Sequence, residues 1–176
     1  MRDDVASLLM SPFGQGLAAT PPHAVKREWP FTLRIEGEGG LEIFLTGKMD
    51  LLIEGHGAEP LRVVDYKHTR REGRTAEDYR FQLMSYALAA RTLLGATDIR
   101  AEIVFLKDRG QRWDDGPMAL TPTAAELDAF EGDLATLGAD LIRARLADRF
   151  RKSAPDHCRA IHCGYLWRCH PQERGR

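Results

Sequence analysis

At 176 residues with a formal net charge of −1, the chain is sized for one domain with a substantial core and no need of disulfides. A balance so near neutrality excludes a globally basic polyanion binder, so any grip on nucleic acid would depend on local patches such as Arg70, Arg71, Arg74 and Arg80. No apolar run approaches the ~20 residues that span a bilayer, and the N-terminus lacks the basic-then-apolar order of a secretory signal, so a soluble, cytoplasmic protein with no membrane partner is expected.

Taken in order, residues 1–24 combine a short helical piece, Val5 to Met10, with the breakers Pro12, Gly14, Gly16, Pro21 and Pro22, and read as a lead-in or truncated edge. Partial alternation from Val25 to Glu36, a turn at Gly37 to Gly40 and the apolar run from Leu41 predict a hairpin whose second strand continues to Ile53. After a turn at Gly55 to Pro60, Leu61 to His68 forms a third strand, and the three make an antiparallel meander. Arg70 to Arg74 is a polar loop. Thr75 with Asp78 resembles a capping box opening a helix that ends before Gly95, with Phe81, Met84 and Leu88 on its apolar face. Ile99 to Leu106 is a fourth strand, followed by a turn at Asp108-Arg109-Gly110 and a weak strand ending near Leu120. Thr123 with Glu126 opens a long amphipathic helix on which Leu127, Phe130, Leu134, Leu137 and Leu141 recur at spacings of three and four. Residues 25–152 are thus the expected core, and 153–176, rich in Cys, His, Arg and Pro, a separate tail.

The most informative stretch is Val63-Val64-Asp65-Tyr66-Lys67. Residues two apart on a strand share a face, so Asp65 and Lys67 leave the end of an apolar segment together. Gly47-Lys48-Met49-Asp50 offers a second carboxylate from the neighbouring strand. Magnesium prefers hard oxygen ligands, keeps several waters and is commonly held by one or two carboxylates and a substrate phosphate. Asp50, Asp65 and the Tyr66 carbonyl meet that demand, and Lys67 beside them suits activation of a water and stabilisation of charge on phosphorus. The plainer alternative for Asp65 and Lys67 is an ordinary ion pair at a strand end. In Gln82-Leu83-Met84-Ser85-Tyr86 the glutamine and tyrosine lie at i and i+4 of one helix face, where both can reach one substrate; otherwise they are a polar flank to the buried stripe.

Together, Gly47-Lys48-Met49-Asp50, Val63-Val64-Asp65-Tyr66-Lys67 and Gln82-Leu83-Met84-Ser85-Tyr86-Ala87-Leu88-Ala89 resemble, in order, spacing and element type, the RecB-type branch of the PD-(D/E)XK nuclease superfamily. Arg27-Glu28-Trp29-Pro30-Phe31 is similar to the Arg-Glu-x-Pro-Phe strand upstream of the first aspartate in nuclease domains of helicase-nuclease subunits. The resemblance implies an α/β, restriction-endonuclease-like fold, with a mixed central sheet flanked by helices. It further implies Asp50 and Asp65 as ligands of Mg2+ or Mn2+, Lys67 as the catalytic lysine and Gln82 with Tyr86 as an additional motif. The function it implies is exonuclease-like hydrolysis of DNA, single-stranded and fed by a helicase domain or subunit, in double-strand-break repair or recombination. One departure is visible. The family usually carries a metal-site histidine on an earlier helix within Gly-x-x-x-His, and no such helix is evident here, as in an excised domain. His23 reads as a solvated loop residue, and Glu28 as a solvent-facing strand glutamate or a substitute acidic group in the cleft. A catalytically inactive DNA-binding or scaffolding domain of the same fold is the alternative.

Cys158, Cys163 and Cys169, interleaved with His157, His162 and His170, could bind zinc or an iron–sulfur cluster. Some relatives carry a four-cysteine iron–sulfur staple ending in C-x2-C-x5-C. Only its C-x5-C half, Cys163 to Cys169, is matched here, and reduced thiols in a compact tail, anchored by Trp167, are the leading reading.

Overall fold

The computed structural model describes residues 2–55, 57, 59–108 and 116–173. The turn expected at Asp108-Arg109-Gly110 lies outside the described residues beyond Asp108, and the one at Gly55 to Pro60 does so at His56 and Ala58. The chain divides into two units, Met1–Leu137 and Gly138–Arg176.

The first unit is built on a mixed five-stranded sheet in the order β1-β2-β3-β4-β5. Its strands are β1 Val25–Glu36, β2 Glu42–Ile53, β3 Leu61–Lys67, β4 Ile99–Phe105 and β5 Met118–Leu120. β1 and β2 form a long hairpin running from Glu36 opposite Glu42 to Val25 opposite Ile53. As an edge strand, β1 accommodates Pro30, which has no N–H to give to a ladder. β3 continues antiparallel, but only Leu51, Leu52 and Ile53 of β2 pair with it. β4 runs parallel to β3, and the helix α3, Arg80–Leu94, supplies the crossover that a parallel neighbour requires.

Successive strand side chains alternate between the two faces and feed two cores. On one face Phe13, with Leu8 and Leu17, covers Leu51, Ile53, Val64 and Val104. On the other, Met84 and Leu88 of α3 join Leu127 and Leu134 of α4, Ala124–Leu146, over Phe31, Leu33, Leu52, Val63 and Ile99. The mixed sheet flanked by helices expected from the sequence is therefore the fold found.

Several details differ from expectation. The proline- and glycine-rich lead-in holds two helices, α1 Arg2–Met10 and α2 Pro12–Ala19. Pro12 stands in the first turn, where no N–H is needed, and Ser11 caps it, its Oγ accepting the Gly14 N–H at 3.1 Å. Gly14 permits the close α1–α2 turn, since a Cβ there would lie 2.1 Å from the Leu8 carbonyl oxygen. Phe81 does not face the core: it is exposed, with its ring edge-on to Phe130 at 5.7 Å. Leu137 and Leu141 are likewise exposed. Thr75 N–H bonds Asp78 Oδ2 at 2.7 Å, but this box opens a 3-10 turn, Ala76–Tyr79, ahead of α3. At Thr123 the box is reciprocal, with Thr123 N–H to Glu126 Oε2 at 2.9 Å and Glu126 N–H to Thr123 Oγ1 at 3.2 Å. The Thr123 N–H bond, followed by the Thr123 hydroxyl donating to Glu126 Oε2 at 3.0 Å, holds the Glu126 carboxyl below its ordinary pKa.

In the second unit the end of α4 is followed by the short helices α5, Pro155–Ala160, and α6, Leu166–Cys169. Cys158, Leu166 and His170 are buried, and His170 Nε2 lies 2.9 Å from the Ser153 carbonyl oxygen. The buried anchor is Leu166 rather than Trp167, which is 43% exposed.

Candidate active site

The site forms where β2 and β3 part. Their pairing ends at Leu51 opposite Val64, so Asp50 and Asp65, the next residues on each strand, stand at the mouth of a widening gap. Asp50 spans it, its Oδ2 accepting the Tyr66 N–H at 2.8 Å. β3 stays with β4 through the Leu106 N–H, which donates to the Lys67 carbonyl at 2.9 Å. Because backbone groups alternate sides along a strand, the Tyr66 carbonyl is directed, like its N–H, away from β4 and toward Asp50. Two carboxylates and one backbone carbonyl thus stand at the opening between β2 and β3. Glu28, across β1 from Asp50, has φ 51°, a left-handed conformation unusual for a non-glycine residue. Its exposed carboxylate ion-pairs with Lys48, and that hydrogen-bonded partner pushes the Lys48 pKa up.

Asp65 is buried, at 5% exposure, and Lys67, Gln82 and Tyr86 reach it. Lys67 Nζ lies 2.6 Å from Oδ2, as the shared strand face predicts. Gln82 Nε2 donates to Oδ1 at 2.6 Å and to the Tyr86 hydroxyl at 2.7 Å. The Tyr86 oxygen also lies 3.2 Å from Asp65 Oδ1 and 3.1 Å from the Lys48 carbonyl. With one proton, the hydroxyl accepts from Gln82 and donates to one of these two oxygens at a time. Burial, opposed by the Gln82 bond and helped by Asp65, pushes the Tyr86 pKa up to about 12. Tyr86 is therefore a donor that orients Asp65, with no role as a base near neutrality. Burial also raises the Tyr66 pKa, with the Asp50 charge adding to it. The Lys67 ammonium sits 5.7 Å from the Tyr79 ring centroid, and Tyr79 rests edge-on against Phe105.

The four arginines divide. Arg70 and Arg74 line a cavity of about 510 Å³ with His68, Thr69 and Lys107, just beyond Lys67. Arg74 is braced there by Thr69 Oγ1 at 2.6 Å and the Arg70 carbonyl at 2.8 Å, while Arg70 lies 3.5 Å from Glu72. Arg71 ties loops together instead, reaching the Gly116 carbonyl at 2.5 Å and Asp108 at 3.6 Å. Arg80 pairs with Glu77 and Glu126. Sequence reasoning misses His68 and Lys107. A signal for Lys107 exists: in the parallel register Lys67 faces Phe105, which carries the residues just past the two strand ends to one place.

The donor set fits a hard divalent cation. It is all oxygen, as such a cation prefers, and among the described residues the buried Asp65 Oδ2 meets only the Lys67 ammonium, at 2.6 Å. Among the described residues no three His, Cys, Asp or Glu side chains form a metal-binding group, so a cation here would rest on the carboxylate pair, the carbonyl and solvent or phosphate. His23 is exposed in a 3-10 turn, Pro22–Ala24. In the second unit Cys158, Cys163 and Cys169 are free thiols, with burial first and then its two cysteine neighbours raising the Cys158 pKa.

The chain belongs to the PD-(D/E)XK nuclease superfamily, whose family model matches residues 5–170. Among solved structures, the crystal structure of SSO0001 is similar to this chain, with a TM-score of 0.50 and 13% sequence identity over 94% of this chain and 70% of that one. At that identity the likeness concerns the fold alone. No curated protein matches the chain closely enough to count as a relative. Nucleases of this superfamily typically use Mg2+ or Mn2+, and no helix of the described residues is long and apolar enough to cross a membrane.

Proposed function

We propose that this chain is a RecB-type, Mg2+- or Mn2+-dependent deoxyribonuclease domain with exonuclease-like action on single-stranded DNA. In this reading it is a cytoplasmic protein that works with a helicase domain or subunit in double-strand-break repair or recombination. The observation that carries the catalytic part is Asp65, buried with one oxygen fixed by Gln82 and Tyr86 and the other paired with Lys67 at 2.6 Å. The RecB-type assignment rests on the order and spacing of the three motifs and on Arg27-Glu28-Trp29-Pro30-Phe31.

Asp50, Asp65 and the Tyr66 carbonyl would hold the cation, which supplies Lewis acidity and favours ionisation of a water when bound. Lys67 orients the attacking water and stabilises the charge that builds on the phosphoryl oxygens. The new P–O bond forms as the bond to the leaving sugar oxygen breaks in line, and that oxygen takes up a proton. Gln82 and Tyr86 act through Asp65 as positioning residues. Arg70, Arg74 and Lys107 offer phosphate contacts along the strand, while Arg71 and Arg80 have structural partners.

The test is cleavage of labelled single- and double-stranded DNA with Mg2+ or Mn2+ by the intact chain and by Asp65→Ala. Metal-dependent cutting that favours single strands and vanishes in the variant is expected. Binding without cutting under either metal would leave the inactive DNA-binding domain as the function.

A further inference from the structure

The whole-chain charge of −1 conceals a segregation. Residues 138–176 carry nine Lys and Arg against four Asp and Glu, a net of +5, leaving −6 for residues 1–137. The basic unit also contains a cavity of about 910 Å³ lined by Arg149, Phe150, Arg151, Lys152, Tyr165 and Arg168. Among the described residues Asp148 is the one carboxylate on its wall, to which Cys158, Cys163 and Cys169 also belong. Lys152 Nζ donates to the Cys169 carbonyl at 2.9 Å, but Arg149, Arg151 and Arg168 have no carboxylate partner among the described residues. The two aromatic rings are large and exposed, Phe150 at 59% and Tyr165 at 67%.

Clustered positive charge and exposed aromatics separately have ordinary explanations; their combination is specific. Unneutralised guanidinium groups attract a polyanion, and solvent-exposed rings between them provide faces on which unpaired bases stack. Duplex DNA hides its base faces, and an acidic peptide would leave the two rings uncovered. We infer that the Gly138–Arg176 unit holds a segment of single-stranded DNA in this cavity, with phosphates on Arg149, Arg151 and Arg168 and bases on Phe150 and Tyr165. This deepens the nuclease reading, on which its biological purpose rests, but the binding itself requires no metal and no cutting.

The experiment uses the full chain in EDTA with a labelled oligo(dT), following fluorescence anisotropy over a range of salt. Arg149→Ala/Arg151→Ala is expected to flatten the slope of log affinity against log salt by about 1.4, the contribution of two phosphate contacts on a single strand. Phe150→Leu and Tyr165→Leu are each expected to weaken binding about fivefold to a hundredfold while leaving that slope unchanged. Both rings are exposed, so thermal melting of the variants should match the parent. Preference for oligo(dT) over its duplex with oligo(dA) supports the assignment. Unchanged affinity and slope in all three variants overturn it, as does stoichiometric zinc or iron on the purified protein's cysteines with DNA binding unaffected by the substitutions. If the chain binds through these residues yet never cuts, the nuclease reading fails and the strand grip stands. If it cuts but the variants bind as the parent does, the reverse holds.

Discussion

The two units handle cations in opposite ways. In the first, acidic unit, arginines are consumed by structure: Arg62 and Arg100 flank the buried Glu102 at 2.7 Å, Arg71 meets Asp108, and Arg91 binds Asp128 and Glu131 at 2.6 and 3.0 Å. What this unit offers a phosphodiester is a pair of carboxylates and Lys67, with Arg70, Arg74 and Lys107 around the adjoining cavity. In the second, basic unit the arginines around the cavity have no such partners. A site that must hold a divalent cation is better served by local negative charge, whereas a strand is better held by positive charge. Net charge over the whole chain therefore says little about either task.

This contrast is tested hardest at Asp65 and Lys67. Replacing either should lower the cleavage rate to background, by at least about a hundredfold to a thousandfold, without changing DNA affinity in EDTA; a parallel loss of binding would mean that this pair also grips the strand. Gln82→Ala should cost about 10–100-fold in activity or metal affinity by freeing Asp65 Oδ1, and a Mg2+ titration of the rate separates the two. Tyr86→Phe probes the same cluster through pH. The hydroxyl's pKa, raised from its ordinary value of 10.0 to about 12 in the fold, contributes stability that is present in full below pH 10 and is lost as pH rises toward 12. The parent should accordingly lose on the order of 2 kcal/mol across that window, and the phenylalanine variant should lose less, as read by urea unfolding. Gly14→Ala, which drives a Cβ into the Leu8 carbonyl, should destabilise the first unit by about 1–3 kcal/mol. Thr123→Ala, which removes one arm of the reciprocal box, should cost about 1 kcal/mol, and the same unfolding measurement checks both.

Much of the first unit is legible in the sequence because its signals are local. Alternation marks β1, Asp65 and Lys67 share a strand face, and Gln82 and Tyr86 share a helix face; all of these follow from periodicity. Where β2 and β3 diverge is a tertiary fact, and with it the bond from Asp50 to the Tyr66 N–H. The α2 helix is obscured because proline and glycine ordinarily break helices, although Pro12 occupies a first turn and Gly14 a helix contact. The exposure of Phe81, Leu137 and Leu141 shows that a stripe at helical spacing need not be buried along its whole length. The basic unit is hidden when charge is summed over the chain and emerges only when the two units are counted apart.

The most direct test of the catalytic assignment separates holding the cation from using it. In Lys67→Met the carboxylates Asp50 and Asp65 remain, so Mg2+ binding measured by calorimetry should persist while cleavage of single-stranded DNA at saturating Mg2+ falls to background. A Lys67→Met chain that still cuts at the parental rate would contradict the account.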